Sequence, residues 1–427
     1  MFFNIQLGAI ASEITLCGGE SATDYIGIQQ IDDMTHYPEN NVLRQIWQFL
    51  YEGVNRANYM EENKANIDFE GKEAMYGEVY FLRAYYYFEL VKFFGDVPLF
   101  TEARLTAGQA GTLTRTPKDE VYAQIELDLQ NAIASLPNSQ SQVGRVNKYT
   151  AYALLGKVLL YQDKFAEAAS ALDNVIGVYS LVSDYGSQFL RFGENGPESV
   201  FEIQYSNQSN WYDWGCAHCS EGNYAIIMNG PRGWSGPEYA QGWSFNVPTE
   251  EFYNSFEEGD SRRDATVLDI EAFAAATGAS YTEGYDHTGY FNNKYIPRAG
   301  ESGGQTELNY LTNFRIIRYS DVLLMAAEAY NRGGIDDGLA QEFLNQVRRR
   351  AFGGDDNDIS ASGSALTDAI WEERKFELSL EGHRFFDLVR TGRASSLIAG
   401  FVEGKHEVFP IPQQEVDISG LTQNAGY

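Results

Sequence analysis

Tyr149-Thr150-Ala151-Tyr152-Ala153-Leu154-Leu155-Gly156-Lys157-Val158-Leu159-Leu160-Tyr161, followed by Phe165-Ala166-Glu167-Ala168-Ala169-Ser170-Ala171-Leu172-Asp173-Asn174-Val175, decides the fold. Tyr152, Leu155, Gly156 and Leu159 fall on one face of a helix, and Ala168, Leu172 and Val175 on one face of a second. The small residues Gly156 and Ala168 let the two helices approach closely. A pair this short cannot bury its apolar face alone, so it demands further pairs stacked beside it.

Those pairs are present. With one inserted residue, Leu323, Ala326, Ala327 and Tyr330 followed by Ala340, Leu344 and Val347 repeat the pattern. A looser copy places Tyr80, Ala84 and Tyr87 before a long insertion, then Leu129, Ala132 and a closing Pro137. This is the ~34-residue tetratricopeptide spacing. Helices are predicted over 42–62, 72–94, 117–136, 148–161 and 165–178. The aromatics of 72–94 are too many for one exposed face, so this helix is expected to be buried on several sides, with Gly95 stopping it and Pro98 preventing its resumption. Thr116 is the expected N-cap of the next helix, with Pro117 at its first position. A single long helix is expected over 366–390, held by the side-chain pairs of Glu372, Glu373, Arg374, Lys375, Glu377, Glu381 and Arg384. The predicted fold class is mainly α: a right-handed, tetratricopeptide-like helical-repeat scaffold with a loop-rich, minor-β insertion. The division is a helical part over 1–197, the insertion over 198–311, and a helical part over 312–427 that completes the same compact fold.

The insertion differs in character. Gly and Pro become frequent, helical periodicity weakens, and Ser199 to Tyr205 alternates like a strand. A connection this long is functional or disordered, and this one is too aromatic for disorder. Four of the six Trp, namely Trp211, Trp214, Trp234 and Trp243, lie here with Tyr212, Tyr224 and Tyr239. The charged residues from Tyr205 to Thr249 are only Asp213, Glu221, Arg232 and Glu238, while Asn207, Gln208, Asn210, Asn223 and Asn229 supply neutral donors. Flat apolar faces among amides suit a pyranose, whose C–H faces stack on rings and whose hydroxyls bond at the edge. The competing reading is that these rings fill a small core beneath a long loop. Trp211, Tyr212, Trp214, Trp234 and Tyr239 are the candidate ligand-binding residues.

Composition narrows the partners. With 31 Lys and Arg against 60 Asp and Glu, the net charge is -29. That field repels nucleic acid and anionic membranes and favours a neutral or amino-sugar ligand over polyanions. Three cysteines are too few for a disulfide scaffold. Cys216-x-x-Cys219 with His218 lacks a second Cys/His pair and reads as a loop disulfide or free thiols, and Cys17 as an ordinary residue. No run approaches the ~18 apolar residues of a spanning helix. Gly300-Glu301-Ser302-Gly303-Gly304 has the G-x-S-x-G spacing without the strand and helix of a nucleophile elbow, and Asp355, Asp356 and Asp358 break the EF-hand spacing. No catalytic residue, cofactor or metal is expected; no carboxylate pair stands out among the acids, which disfavours a surface hydrolase.

Several stretches together resemble the SusD/RagB family. They are Glu78-Val79-Tyr80-Phe81-Leu82-Arg83-Ala84-Tyr85-Tyr86-Tyr87-Phe88-Glu89-Leu90-Val91 running into Phe94-Gly95-Asp96-Val97-Pro98-Leu99, then Gly259-Asp260-Ser261-Arg262-Arg263-Asp264-Ala265-Thr266 and Arg318-Tyr319-Ser320-Asp321-Val322-Leu323-Leu324-Met325. Glu373-Arg374-Lys375-Phe376-Glu377-Leu378 through Glu381-Gly382-His383-Arg384-Phe385-Phe386-Asp387-Leu388, and Leu421-Thr422-Gln423-Asn424 with Gly426-Tyr427, complete the set. The resemblance implies a tetratricopeptide-like surface lipoprotein of Bacteroidota that binds glycan for polysaccharide utilisation, caps a SusC-like TonB-dependent outer-membrane transporter, and catalyses nothing. It implies structural roles for the quoted motifs and a ligand site in the variable loops: Trp211 to Trp243 and Gly18 to Tyr25, which adds Asp24 and Tyr25 to the candidates. It also implies a lipid anchor on a cysteine upstream of Met1. The alternative function is a helical-repeat interaction scaffold for the transporter with little glycan affinity of its own.

Overall fold

A computed structural model describes residues 2–207, 221–301 and 308–427, without the side chains of 2–5, 107 and 110. The chain begins with α1 (Phe2–Ile10), β1 (Thr15–Gly18) and α2 (Ile26–Asp32), then runs through α3 (Asn41–Glu62), α4 (Lys72–Phe94), α5 (Lys118–Ser135), α6 (Lys148–Leu160) and α7 (Phe165–Asp173). Short elements follow: β2 (Ser199–Ile203), α8 (Ala225–Asn229), β3 (Arg232–Ser235), β4 (Phe245–Pro248), α9 (Glu250–Asn254), α10 (Arg262–Thr266), β5 (Val267–Asp269), α11 (Ile270–Thr277), β6 (Ser280–Thr282) and β7 (Tyr290–Asn292). The chain closes with β8 (Phe314–Arg318), α12 (Tyr319–Arg332), α13 (Asp337–Phe352), α14 (Gly363–Leu378), α15 (Arg384–Arg390), α16 (Ala394–Leu397) and α17 (Gln413–Ser419). The fold is predominantly helical. No helix among the described residues is long and apolar enough to cross a membrane.

Two compact units divide the chain: residues 35–178 with 400–427, and residues 2–34 with 179–399. The compositional boundaries at 198 and 311 are not the unit boundaries; the loop-rich stretch lies inside the second unit.

In the first unit, α4 is the central helix. Tyr76, Phe81, Tyr87, Phe88, Phe93 and Phe94 are all buried, so its aromatics are core on several sides, as the sequence predicts. Gly95 ends it at φ 70, a conformation that disfavours a side chain. The next helix starts differently from expectation. Thr116 pairs in a bridge with Val97, Pro117 takes the cap position, and Asp96 Oδ1 accepts from Lys118 N at 2.8 Å. The cap therefore comes from the preceding turn. α6 and α7 pack so tightly that a Cβ at Gly156 would sit 2.5 Å from Leu172, as the small-residue rule requires. α7 stops at Asp173 rather than 178, and the residues after it form turns through Val178, with Gly177 at φ 79. The C-terminal motif clasps the unit: Asn424 Nδ2 donates to Phe94 O and Phe409 O, and Gln423 exchanges two hydrogen bonds with Ile411.

In the second unit, α12, α13 and α14 pack on one another, α12 also meets β8, and the described residues form four two-stranded antiparallel sheets, β1–β4, β2–β8, β3–β6 and β5–β7. The expected long C-terminal helix is broken into α14 and α15. Leu380 and Gly382 turn to positive φ, and the break aims Glu381 inward. There its carboxylate takes Arg318 at 2.8 Å and Lys294 at 2.7 Å. The acids of α14 are likewise not merely neighbours along one helix. Glu373 binds Arg262 (2.6 Å) and Arg348 (2.8 Å), and Glu377 binds Arg318 (2.8 Å) and Arg350 (2.6 Å). Only the surface pair Glu372–Lys375 keeps the expected spacing. Buried guanidinium groups require this density of carboxylates because an unpaired buried charge costs several kcal/mol, of order 3–5. Burial alone would raise Glu377, yet Arg350, Arg318 and Arg262 hold it well below the carboxylate range. Burial brings Lys294 down to about 8.

Candidate functional site

β1 and β4 pair antiparallel, with Gly18 opposite Phe245. This brings the early loop against the middle of the loop-rich stretch. Gly18 and Gly19 are required there: a Cβ on Gly18 would lie 2.2 Å from Ser244 O, and Gly19, at φ 104, would meet the Phe245 ring at 2.8 Å. Gly19 N donates to Ser244 O and Gly19 O accepts from Tyr285 N.

The loop ends in Asp24 and Tyr25. Asp24 Oδ2 accepts from Glu20 N and from Arg232 Nη2, both at 2.8 Å. Arg232 also lies 3.7 Å from Glu20. Two segments that the sequence offers separately, 18–25 and 211–243, are thus joined by a half-buried ion pair. Tyr25 adopts the left-handed conformation, φ 51, uncommon for a bulky residue and costing roughly 1–2 kcal/mol. Its ring stands edge-on to Phe245 at 6.3 Å. Burial pushes its phenol up, so it stays a neutral donor and acceptor at ordinary pH.

β3 pairs with β6, Arg232 opposite Thr282 and Ser235 opposite Ser280. Trp234 packs on Tyr239 (6.0 Å, 74°) and Phe273 (6.0 Å), beside a core of Leu268, Ile270, Phe291 and Ile296. Trp234 stays half-buried. Tyr239 is only 5% exposed, with Phe273 at 5.1 Å and the Arg298 guanidinium 5.2 Å above its ring. It offers no open face and acts as a support for Trp234. Here the core alternative holds for Tyr239.

The neutral amides divide similarly. Asn223 donates to Thr312 O and accepts from Ala225 N, and Asn229 ties Gln6, Asn246 and Tyr295 O together. Both are buried core hubs, not ligand donors. Trp211, Tyr212, Trp214, Gln208, Asn210, Cys216, His218 and Cys219 lie outside the described residues, as do Ser302, Gly303 and Gly304. Asp358 pairs with Arg349 at the turn after α13, and no cluster of three or more metal-ligating side chains occurs among the described residues. Cys17 is a buried free thiol.

Sequence reasoning missed two members. Arg232 is the only Lys or Arg between Tyr205 and Thr249, a lone cation in a neutral stretch, and that was its signal. Tyr285, 37% exposed and bonded through its backbone to Gly19, had none beyond its ring.

Comparison with known proteins decides the family. Residues 197–400 match the model described as the SusD family, and residues 17–160 match one described as starch-binding, associating with outer membrane. A laminarin-binding SusD-like protein of known structure is 37% identical, with a TM-score of 0.90 over 99% of this chain and 94% of that one. The chain belongs to the SusD family. Surface glycan-binding protein A from Bacteroides thetaiotaomicron, solved in complex with laminarihexaose, is 30% identical over 98% of this chain and 93% of that one, with a TM-score of 0.88. A SusD-like protein of Formosa agariphila is 29% identical over 93% of this chain and 83% of its own length. These SusD-family matches span the chain from end to end, so the helical pairs and the loop-rich stretch belong to one shared fold.

Proposed function

We propose that this protein binds a neutral, laminarin-type glycan at the outer-membrane surface, where a lipid holds it, and passes the glycan uncleaved to a SusC-like TonB-dependent transporter. The observation that carries the reading is the 37% identity over nearly the full chain to a laminarin-binding SusD-like protein. The chemistry agrees: a neutral ligand suits a chain of net charge -29, and half-buried Trp234, the neutral phenol of Tyr25 and the paired Asp24 combine a ring face with hydrogen-bonding edges. Trp211, Tyr212 and Trp214 are proposed to complete the platform on the strength of their residue types, and Tyr239 to contribute as the packing beneath Trp234.

Native electrophoresis through gels containing laminarin, or an acidic polysaccharide, tests this. Wild type is retarded by laminarin, and Trp211→Ala, Trp234→Ala or Asp24→Ala weakens that by about tenfold, the scale of one lost stacking or charged contact. Retardation by the acidic polysaccharide alone overturns the neutral-ligand reading. No retardation by either favours the helical-repeat scaffold. Release of reducing ends from laminarin overturns the non-catalytic assignment.

A further inference from the structure

The first unit holds an open groove of about 730 Å³, within the ~300–1,000 Å³ of ordinary ligand sites. It runs along one face of α3. Trp47, Tyr51, Asn55 and Tyr59 follow each other at intervals of four, so they form a rail about 18 Å long at 1.5 Å rise per residue. Phe100, Leu105 and Leu113 supply a further wall, and Glu415 and Ile418 of α17 complete the lining.

This wall is held in place before any ligand arrives. Phe100 O accepts from both Asn58 Nδ2 and Tyr87 Oη at 2.8 Å, Tyr51 Oη donates to Pro98 O at 2.8 Å, and Leu105 N donates to Asn55 Oδ1 at 3.0 Å. Tyr51 and Phe100 stack at 12° and 5.6 Å, making a continuous aromatic surface. Tyr59 is 47% exposed and Ile418 55% exposed, apolar side chains left facing water.

The charges of the groove choose its occupant. Arg56 is paired with Glu52 at 2.5 Å, and Arg104, lying over the Tyr59 ring at 4.5 Å, is paired with Glu62 at 3.0 Å. Each cation already faces a carboxylate, which weakens the groove's hold on an anion. Asn55, whose Oδ1 is taken by Leu105 N, keeps its Nδ2 for the groove, and the Gln48 amide and the Glu415 carboxylate join it in the lining, donors and acceptors beside aromatic faces. That combination matches an uncharged ring with hydroxyls at its edge.

We propose that this groove is a second subsite for a neutral oligosaccharide, separate from the Asp24–Trp234 loops and lying wholly within the first unit. It rests on the glycan-binding reading above. A second subsite on one chain raises avidity for a long polymer without any new contact at the first.

Calorimetry of the full chain with laminarihexaose tests the subsite. Wild type should bind about two per chain. Tyr59→Ala with Ile418→Glu, both exposed and so compatible with folding, should reduce this to one and leave the remaining affinity within twofold; Trp234→Ala should leave the groove event. A wild-type stoichiometry of one that the groove variants do not alter and Trp234→Ala removes overturns the second subsite and keeps the proposed function. A stoichiometry of one lost only in the groove variants supports the groove and overturns the loop site. No heat from wild type overturns both.

Discussion

Asp32 illustrates how one side chain in this acidic chain sets a pH response. Its Oδ2 accepts from Cys17 N at 2.7 Å, a bond that favours the carboxylate, yet burial outweighs it, helped by Asp33 and Asp286, and raises the group to about 7. The unfolded value is 3.8, so the folded state prefers the protonated form. Its stabilising contribution is full below about pH 4 and is lost as pH rises through about 7, for a total of about 4 kcal/mol at ~1.4 kcal/mol per unit. An asparagine keeps an acceptor for Cys17 and never ionises. Asp32→Asn is therefore expected to raise the unfolding free energy by roughly 2–4 kcal/mol at about pH 8 and to change it little at about pH 4, read from urea denaturation at both values. An equal effect at the two pH values would sink this account of Asp32. The buried acids of α14 behave in the opposite sense. Glu377 and Glu381 are held below 4.5 by their arginines and, for Glu381, Lys294, against the burial that would raise them, so their contribution is present above about 4.5 and disappears on acidification.

Among the elements, the break between α14 and α15 is the one that most needs an explanation. α1 rests on it: a Cβ on Gly8 would lie 2.0 Å from Gly382 O and 2.7 Å from its Cα, backbone atoms that cannot swing aside. Alanine is the better helix former by about 1 kcal/mol. Gly8→Ala is nonetheless expected to destabilise by about 1–3 kcal/mol through overpacking, measured as a lower denaturation midpoint. A raised midpoint would show that α1 does not need this contact. The same break marks where sequence reading runs out. α3 and α4 were legible to within a residue because their apolar period and the Gly95 stop are local signals. The division at Leu380 and Gly382 was not, because it exists to deliver Glu381 to Arg318 and Lys294, more than sixty residues away along the chain. The site divides likewise. Residue type flagged Trp234, and the family resemblance the early loop, but Asn223 and Asn229 have the same composition signal as the Trp-rich stretch and are core, since burial is set by pairings such as β1 with β4 that no local pattern reports.

At the scale of the whole molecule, the -29 charge and the proposed ligand make a joint prediction. Like charges this numerous repel one another in the folded state, and salt screens them, the Debye length shrinking from about 20 Å at 20 mM to about 4 Å at 500 mM. Raising NaCl across that range is expected to increase Tm. The same screening leaves an uncharged glycan untouched, because no counterions are released when it binds and its contacts are stacking and short hydrogen bonds. Affinity for laminarihexaose should therefore stay within twofold while Tm climbs. The two readings separate the molecule's own electrostatics from those of its ligand. A Tm indifferent to salt would mean that the buried arginine clusters, and not surface repulsion, dominate the charge energetics. An affinity that falls steeply with salt would place a charged group in the ligand and direct attention to Arg232, whose pairing with Asp24 would then have to open to receive it.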